Sequence, residues 1–194
     1  MTDSSLILIA PPAYDIDIQL AYATPDNVTR AVIYDPNKAQ AYLHKDAAAR
    51  LQTAIALAAQ QGLRLRLFDA FRPQKAQQIL WRHHPDERFV AHPSKGSPHS
   101  RGVAVDITLL DKQNKPLDMG TPFDDFSPRS YHGASSLAPR AQANRYLLLG
   151  IMMSAGWDLF INEWWHYQLF NSTTYPLIDD NSPASTTMLP RPST

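Results

Sequence analysis

The sequence predicts an α+β fold, a central antiparallel sheet flanked by helices within one domain. Three observations support this: strand-like and helix-like stretches are mixed without a repeating strand–helix–strand period, 194 residues suit one domain, and 44% hydrophobic residues can fill one core. Residues 15–23 alternate, with Ile16, Ile18, Leu20 and Tyr22 on one face, and read as a first strand. Asp46 can cap a helix through AAARLQTAIALAAQQ, whose seven alanines favour helix and which Gly62 stops. Leu63, Leu65 and Leu67 then alternate with polar or aromatic neighbours, so a strand leads into Asp69-Ala70-Phe71-Arg72-Pro73. Pro73 excludes helical geometry at Arg72 and opens a helix over roughly 74–83, leaving Arg72 on a loop at a strand end. From Gly102, Val103, Val105, Ile107 and Leu109 face one way and Ala104, Asp106 and Thr108 the other, which puts a carboxylate mid-strand. A helix over 139–155 starts at Pro139, stops at Gly156 and turns Leu147, Leu148, Ile151 and Met152 to the core. A strand pair or turn covers WDLFINEWWHYQLF, and the tail from about 171 to 194 is rich in Pro, Ser and Thr.

Eighteen Lys and Arg balance 18 Asp and Glu, which leaves no footprint for nucleic acid or an anionic membrane. With no cysteine there is no disulfide and no thiolate chemistry, so any metal must sit on His, Asp or Glu. Neither a P-loop, a dinucleotide fingerprint nor GxSxG occurs. The apolar run at 6–10 lacks a basic flank and is too short for a signal peptide, so a cytoplasmic protein is expected ahead of a periplasmic one. No stretch approaches the ~20 apolar residues that span a bilayer. Homo-oligomerisation is left open.

The mid-strand Asp106 needs a cation, a donor cluster or solvent, because an unpaired carboxylate between Val105 and Ile107 is costly to bury. His99, seven residues earlier on a loop, makes a divalent metal a natural partner, and a catalytic zinc site without cysteine takes three His or carboxylate ligands. His166, in Glu163-Trp164-Trp165-His166, is the candidate third ligand. Glu163 lies three residues before it, so the two share a site only if the chain curls there. A carboxylate beside such a site can serve as general base, and the two tryptophans would keep it dry. Taken singly, a His–Asp pair at this spacing is commoner as a structural hydrogen bond, and Arg72 as a salt-bridged residue. His44, His83, His84, His92 and His132 read as solvated or structural.

In combination, SPHSRGVAVD fits Ser-x-His-x-x-Gly-x-Ala-x-Asp, and together with DAFRP upstream and EWWH downstream it resembles the zinc D-alanyl-D-alanine dipeptidases of the VanX type. LAYATPDNVT, DMGTPFDDF and NRYLLLGIMMSAGW extend the resemblance over about residues 14–176. It implies a Hedgehog/DD-peptidase-like fold and one Zn²⁺ per chain on His99, Asp106 and His166. It also implies Glu163 as general base, Arg72 as oxyanion stabiliser, and Ser97, Asp124 and Tyr22 lining the substrate pocket. The implied reaction is hydrolysis of free D-alanyl-D-alanine, in cell-wall peptide metabolism or glycopeptide resistance. Two alternatives stand beside it: a D,D-carboxypeptidase or endopeptidase acting on peptidoglycan stems, and a non-catalytic zinc-stabilised binding module.

Overall fold

The computed structural model describes residues 5–190. Strand β1 (Leu6–Leu8) forms a two-stranded antiparallel ribbon with β3 (Tyr42–His44), while β2 (Asp17–Ile18) belongs to the main sheet. Helix α1 (Lys45–Gln60) buries Ala47, Ala48, Leu51, Ala54, Ile55 and Ala58, one stripe at helical spacing. His44, not Asp46, is its cap, since the His44 ring accepts from the Asp46 N–H. Gly62 at φ +67° ends the helix: its N–H donates to the Ala59 carbonyl and that of Leu63 to Ala58, a Schellman closure that needs the left-handed conformation.

β4 (Arg64–Asp69), α2 (Gln74–His83) and β5 (Ala104–Leu110) follow the sequence-based assignments closely. Beyond them come α3 (Pro139–Ser154), β6 (Asp158–Leu159), β7 (His166–Gln168) and α4 (Pro183–Met188). The main sheet runs β2-β4-β5-β7-β6 and is antiparallel except at its edge, where β2 pairs parallel to β4. One face of β5 (Val105, Ile107, Leu109), with Val103 just before it, joins Leu51 of α1 and Leu148 and Met152 of α3 in the main core. The opposite face is equally enclosed, which is why Asp106 is buried.

Two further expectations are corrected. Only Asp17–Ile18 of the 15–23 stretch is strand; the chain then winds a short 3-10 turn at Ala21–Ala23. There the Tyr22 carbonyl accepts from the N–H groups of Ile33 and Tyr34, so the backbone finds partners without a longer strand. Leu147 is half-exposed, and the inward side of α3 is instead Ala141, Arg145, Leu148, Ile151 and Met152. The tail packs on the body: Met188 is buried and its carbonyl accepts from the Asp35 N–H. Residues 1–4 and 191–194 lie outside the described residues.

Candidate metal centre and active site

Sheet register builds the floor of the site. Asp106 of β5 stands directly opposite His166 of β7, and directly paired residues share a face. Between β4 and β5 the register runs Leu65↔Leu109 and Leu67↔Ile107, then slips by one at a bulge to Asp69↔Asp106. Continued without the slip, Asp69 would oppose Val105 and point into the apolar core; the bulge turns it to the face of Asp106. His99 enters from a 3-10 turn, His99–Arg101, closed by Gly102 at φ +69°, where the Gly102 N–H donates to the His99 carbonyl.

Three acceptor atoms converge. His99 Nε2 lies 3.0 Å from His166 Nδ1 and 3.3 Å from Asp106 Oδ1, and His166 Nδ1 lies 3.1 Å from the same oxygen. The outer nitrogens fix the tautomers: His99 Nδ1 is 2.7 Å from the Ala70 carbonyl and His166 Nε2 is 3.2 Å from Gln168 Oε1, so each outer nitrogen carries the hydrogen. Both inner nitrogens therefore aim lone pairs at each other and at a carboxylate oxygen, an arrangement that asks for a cation. Tetrahedral zinc with bonds of about 2.0–2.2 Å sets its ligand atoms roughly 3.3–3.5 Å apart, close to the spacing here. The donor set thus fits a metal ion, and these three residues are a group that could hold one. Burial lowers the His166 pKa, which keeps that ring neutral and able to ligate. Burial alone would raise the Asp106 carboxyl, yet His99 and His166 beside it hold it below the ordinary carboxylate range.

Glu163 sits in the turn between β6 and β7, where its N–H donates to Phe160 and its carbonyl accepts from His166. That turn supplies the curl that a regular strand could not. The residue is 4% exposed, Oε1 has no partner among the described residues, and Oε2 is 4.0 Å from His166 Nδ1. Burial, reinforced by the charges of Asp106 and Asp124, raises its pKa well above the usual carboxylate value.

Arg72 is 7% exposed and almost fully engaged. Its Nε and Nη2 each lie 2.8 Å from Asp69 Oδ2, Nη2 is 3.3 Å from Asp106 Oδ2, and Nη1 donates to Gln77 Oε1 at 2.9 Å. Its guanidinium carbon stands 5.1 Å from the centre of the Tyr22 ring. Tyr22 in turn donates to Asp124 Oδ1 at 3.2 Å, and the Val28 N–H donates to Asp124 Oδ2 at 3.1 Å. Asp124, at φ +61°, is buried and its pKa is raised to about 7 by that burial. Ser97 faces the same cavity, although its hydroxyl also accepts from the His99 N–H at 3.2 Å.

All eight residues singled out in the sequence line one cavity of about 150 Å³. That is small beside the ~300–1,000 Å³ of sites for drug-sized ligands and suits a compact substrate. Leu80, Phe126, Phe160 and Trp165 supply its apolar walls. Sequence reasoning assigned nothing to Asp69, Gln77 or Gln168. Asp69 had a signal, an acid ending a strand three residues before Arg72; Gln77 had none, since a polar residue on a short helix reads as solvated. Of the remaining histidines, His132 departs most from a solvated side chain. Both its ring nitrogens are buried without hydrogen-bond partners among the described residues, and burial lowers its pKa to about 4.

Residues 4–184 match the family model described as D-ala-D-ala dipeptidase, Peptidase_M15. A D-alanyl-D-alanine dipeptidase of Escherichia coli (strain K12) is 42% identical over 181 residues, 93% of either chain. One from Enterococcus faecium is 34% identical over 169 residues, 76% of this chain and 83% of that one. Among solved structures, that of the LdcB LD-carboxypeptidase superposes with a TM-score of 0.50 at 16% identity, covering 90% of this chain and 72% of the other, a likeness of fold. No helix among the described residues is long and apolar enough to cross a membrane. Taken with the α+β fold and the enclosed His–Asp–His group, these matches establish that the chain is an enzyme of the D-ala-D-ala dipeptidase family of M15 metallopeptidases.

Proposed function

We propose that this protein hydrolyses the free dipeptide D-alanyl-D-alanine, with one Zn²⁺ held by His99 Nε2, Asp106 Oδ1 and His166 Nδ1. The observation that carries the reading is the convergence of three lone pairs beside a buried carboxylate, Glu163, whose Oε1 has no partner among the described residues. When bound, the zinc ion polarises the scissile carbonyl and acidifies water. Glu163, its basicity raised by burial, takes a proton from the attacking water and returns it to the leaving amine. Arg72 donates to the carbonyl oxygen as it gains charge, an interaction stronger in the transition state than in the ground state. Asp69 and Asp106 hold the guanidinium from one side, and its Nη1 retains an N–H beyond the one given to Gln77.

Asp124 receives the substrate ammonium and Ser97 its carboxylate, so both ends of a dipeptide are fixed in the cavity. This two-ended capture favours the free dipeptide over a peptidoglycan stem. The region of about 14–176 serves as the catalytic core, and the C-terminal tail is packed against it. A soluble cytoplasmic enzyme of cell-wall peptide metabolism fits this chemistry. Purified protein is expected to carry about one zinc per chain and to release D-alanine from D-alanyl-D-alanine, while His166→Ala loses most of the metal. Wild-type protein that binds no zinc and gains no activity on zinc addition would sink the reading.

A further inference from the structure

Gln77 is the most enclosed amide near the site, 2% exposed on the inward face of α2 one turn past Pro73. Both ends of its side chain are used. Oε1 accepts from Arg72 Nη1 at 2.9 Å, and Nε2 donates to the Ala91 carbonyl at 2.8 Å. The orientation is forced, because a guanidinium only donates and a carbonyl only accepts; a flipped amide would face donor to donor and oxygen to oxygen. Ala91 belongs to the segment whose Glu87, Phe89 and Val90 also line the cavity. Gln77 therefore spans from the cavity wall to the nitrogen of Arg72 that has no carboxylate partner among the described residues. Asp69 takes Nε and Nη2 and Asp106 takes Nη2, which leaves Nη1 to be oriented by Gln77 alone of these three.

We propose that Gln77 is a positioning residue for the reaction: by tying Arg72 Nη1 to the Ala91 carbonyl, it aims the remaining Nη1 N–H at the oxygen of the scissile bond. The inference rests on the reading of Arg72 as the donor to that oxygen. A misaimed donor weakens the transition state more than the bound substrate, so the loss falls on kcat.

The test is steady-state kinetics on D-alanyl-D-alanine with zinc-loaded Gln77→Met, Gln77→Glu, Arg72→Lys and the Gln77→Met/Arg72→Lys double variant, alongside metal content and circular dichroism. Methionine matches the length of glutamine and tolerates a helix but cannot hydrogen-bond. Gln77→Met is expected to lower kcat about 10–100-fold with KM within a few-fold and zinc unchanged. Gln77→Glu keeps the acceptor for Arg72 but turns an oxygen onto the Ala91 carbonyl, so the tie is broken and kcat is expected to stay well below wild type. In the Arg72→Lys background, Gln77→Met adds little, because the planar fork it aims is gone. If Gln77→Met does not fold, Gln77→Asn, whose shorter amide falls short of Arg72, carries the same comparison. Arg72→Lys impaired while Gln77→Met keeps kcat within two-fold overturns the positioning role alone, as does full additivity or a glutamate variant with wild-type kcat. Arg72→Lys with unchanged kcat overturns the Arg72 reading, and the Gln77 inference with it.

Discussion

Replacing Glu163 with glutamine separates proton transfer from metal binding within one side chain. The change conserves shape and removes only the capacity to take a proton. General-base catalysis contributes ~10²–10⁴-fold, about 3–5 kcal/mol at 1.36 kcal/mol per decade. The structure places the expected loss at the upper end, because no other buried carboxylate can substitute. Asp69 is held by Tyr34 and Arg72, Asp106 by the two histidines and Arg72, and Asp124 by Tyr22 and the Val28 N–H. Zinc should be retained, since Glu163 comes no nearer than 4.0 Å to His166 Nδ1, whereas the ligand atoms sit 3.0–3.3 Å from one another. Metal-free Glu163→Gln should also be more stable than metal-free wild type at pH 8. A carboxyl whose folded pKa is raised by burial costs stability as pH climbs above its unfolded value, and glutamine carries no such cost. The assay pairs D-alanine release with metal analysis of the same sample and melting of the chelated protein. Turnover within ten-fold of wild type at full zinc occupancy would move the base elsewhere, and zinc lost in step with activity would make Glu163 a ligand.

Asp124, raised from 3.8 to about 7, should cost metal-free protein up to about 4 kcal/mol as pH rises across that interval, and nothing further above it. Denaturant titrations of Asp124→Asn and wild type from pH 4 to 8 should therefore diverge in favour of the variant and run parallel above about 7; parallel curves throughout would show that Asp124 is not desolvated. N-acetyl-D-Ala-D-Ala and a pentapeptide stem should be cleaved on the order of a thousandfold more slowly than the free dipeptide, because a blocked amine leaves a buried acid unpaired. Equal kcat/KM for dipeptide and stem would favour the carboxypeptidase alternative. Thr121→Val should destabilise the loop that carries Asp124 by about 1–3 kcal/mol, since the Thr121 hydroxyl takes hydrogen bonds from both Trp164 Nε1 and Arg145 Nη2; a melting temperature unchanged from wild type would refute it.

What could be read from the sequence was whatever depends on local spacing. Pro73 and the pattern behind it place α2 at 74–83, and alternation around Asp106 places β5 to within a residue, because both signals are periodic and short in range. His99, Asp106, Glu163 and His166 stood out because burying such side chains needs a reason, and metal chemistry is one. The β4 bulge was hidden, since a one-residue slip leaves no trace in a period-two pattern, and with it went the placement of Asp69. The early strand was overread for a related reason. Ile16, Leu20 and Tyr22 are buried as alternation requires, but Tyr22 gains its environment from a turn, with its ring 5.6 Å from that of Tyr34. Gln77 was invisible because only its partners, 5 and 14 residues away, distinguish it from a solvated glutamine.

The bulge also explains why so much charge can be gathered in so little space. Asp69, Asp106 and His166 form a row across three neighbouring strands, with side chains on one face at the ~4.8 Å strand spacing. Asp124 and Glu163 add two more carboxyls from loops, and among these groups Arg72 is the lone guanidinium. Four buried carboxyls against one fixed cation cannot all ionise without help. Burial first, with neighbouring carboxyls adding to it, raises the pKa of Asp69, Asp124 and Glu163, while the two imidazoles beside Asp106 hold it down. In the proposed function, a divalent ion among the lone pairs of His99, Asp106 and His166 and an ammonium beside Asp124 would supply the balancing charges. On the proposed function, the charge imbalance that costs the fold stability is the same quantity that would select a metal and a small cationic substrate end, so stability is exchanged for recognition at a single face of the sheet.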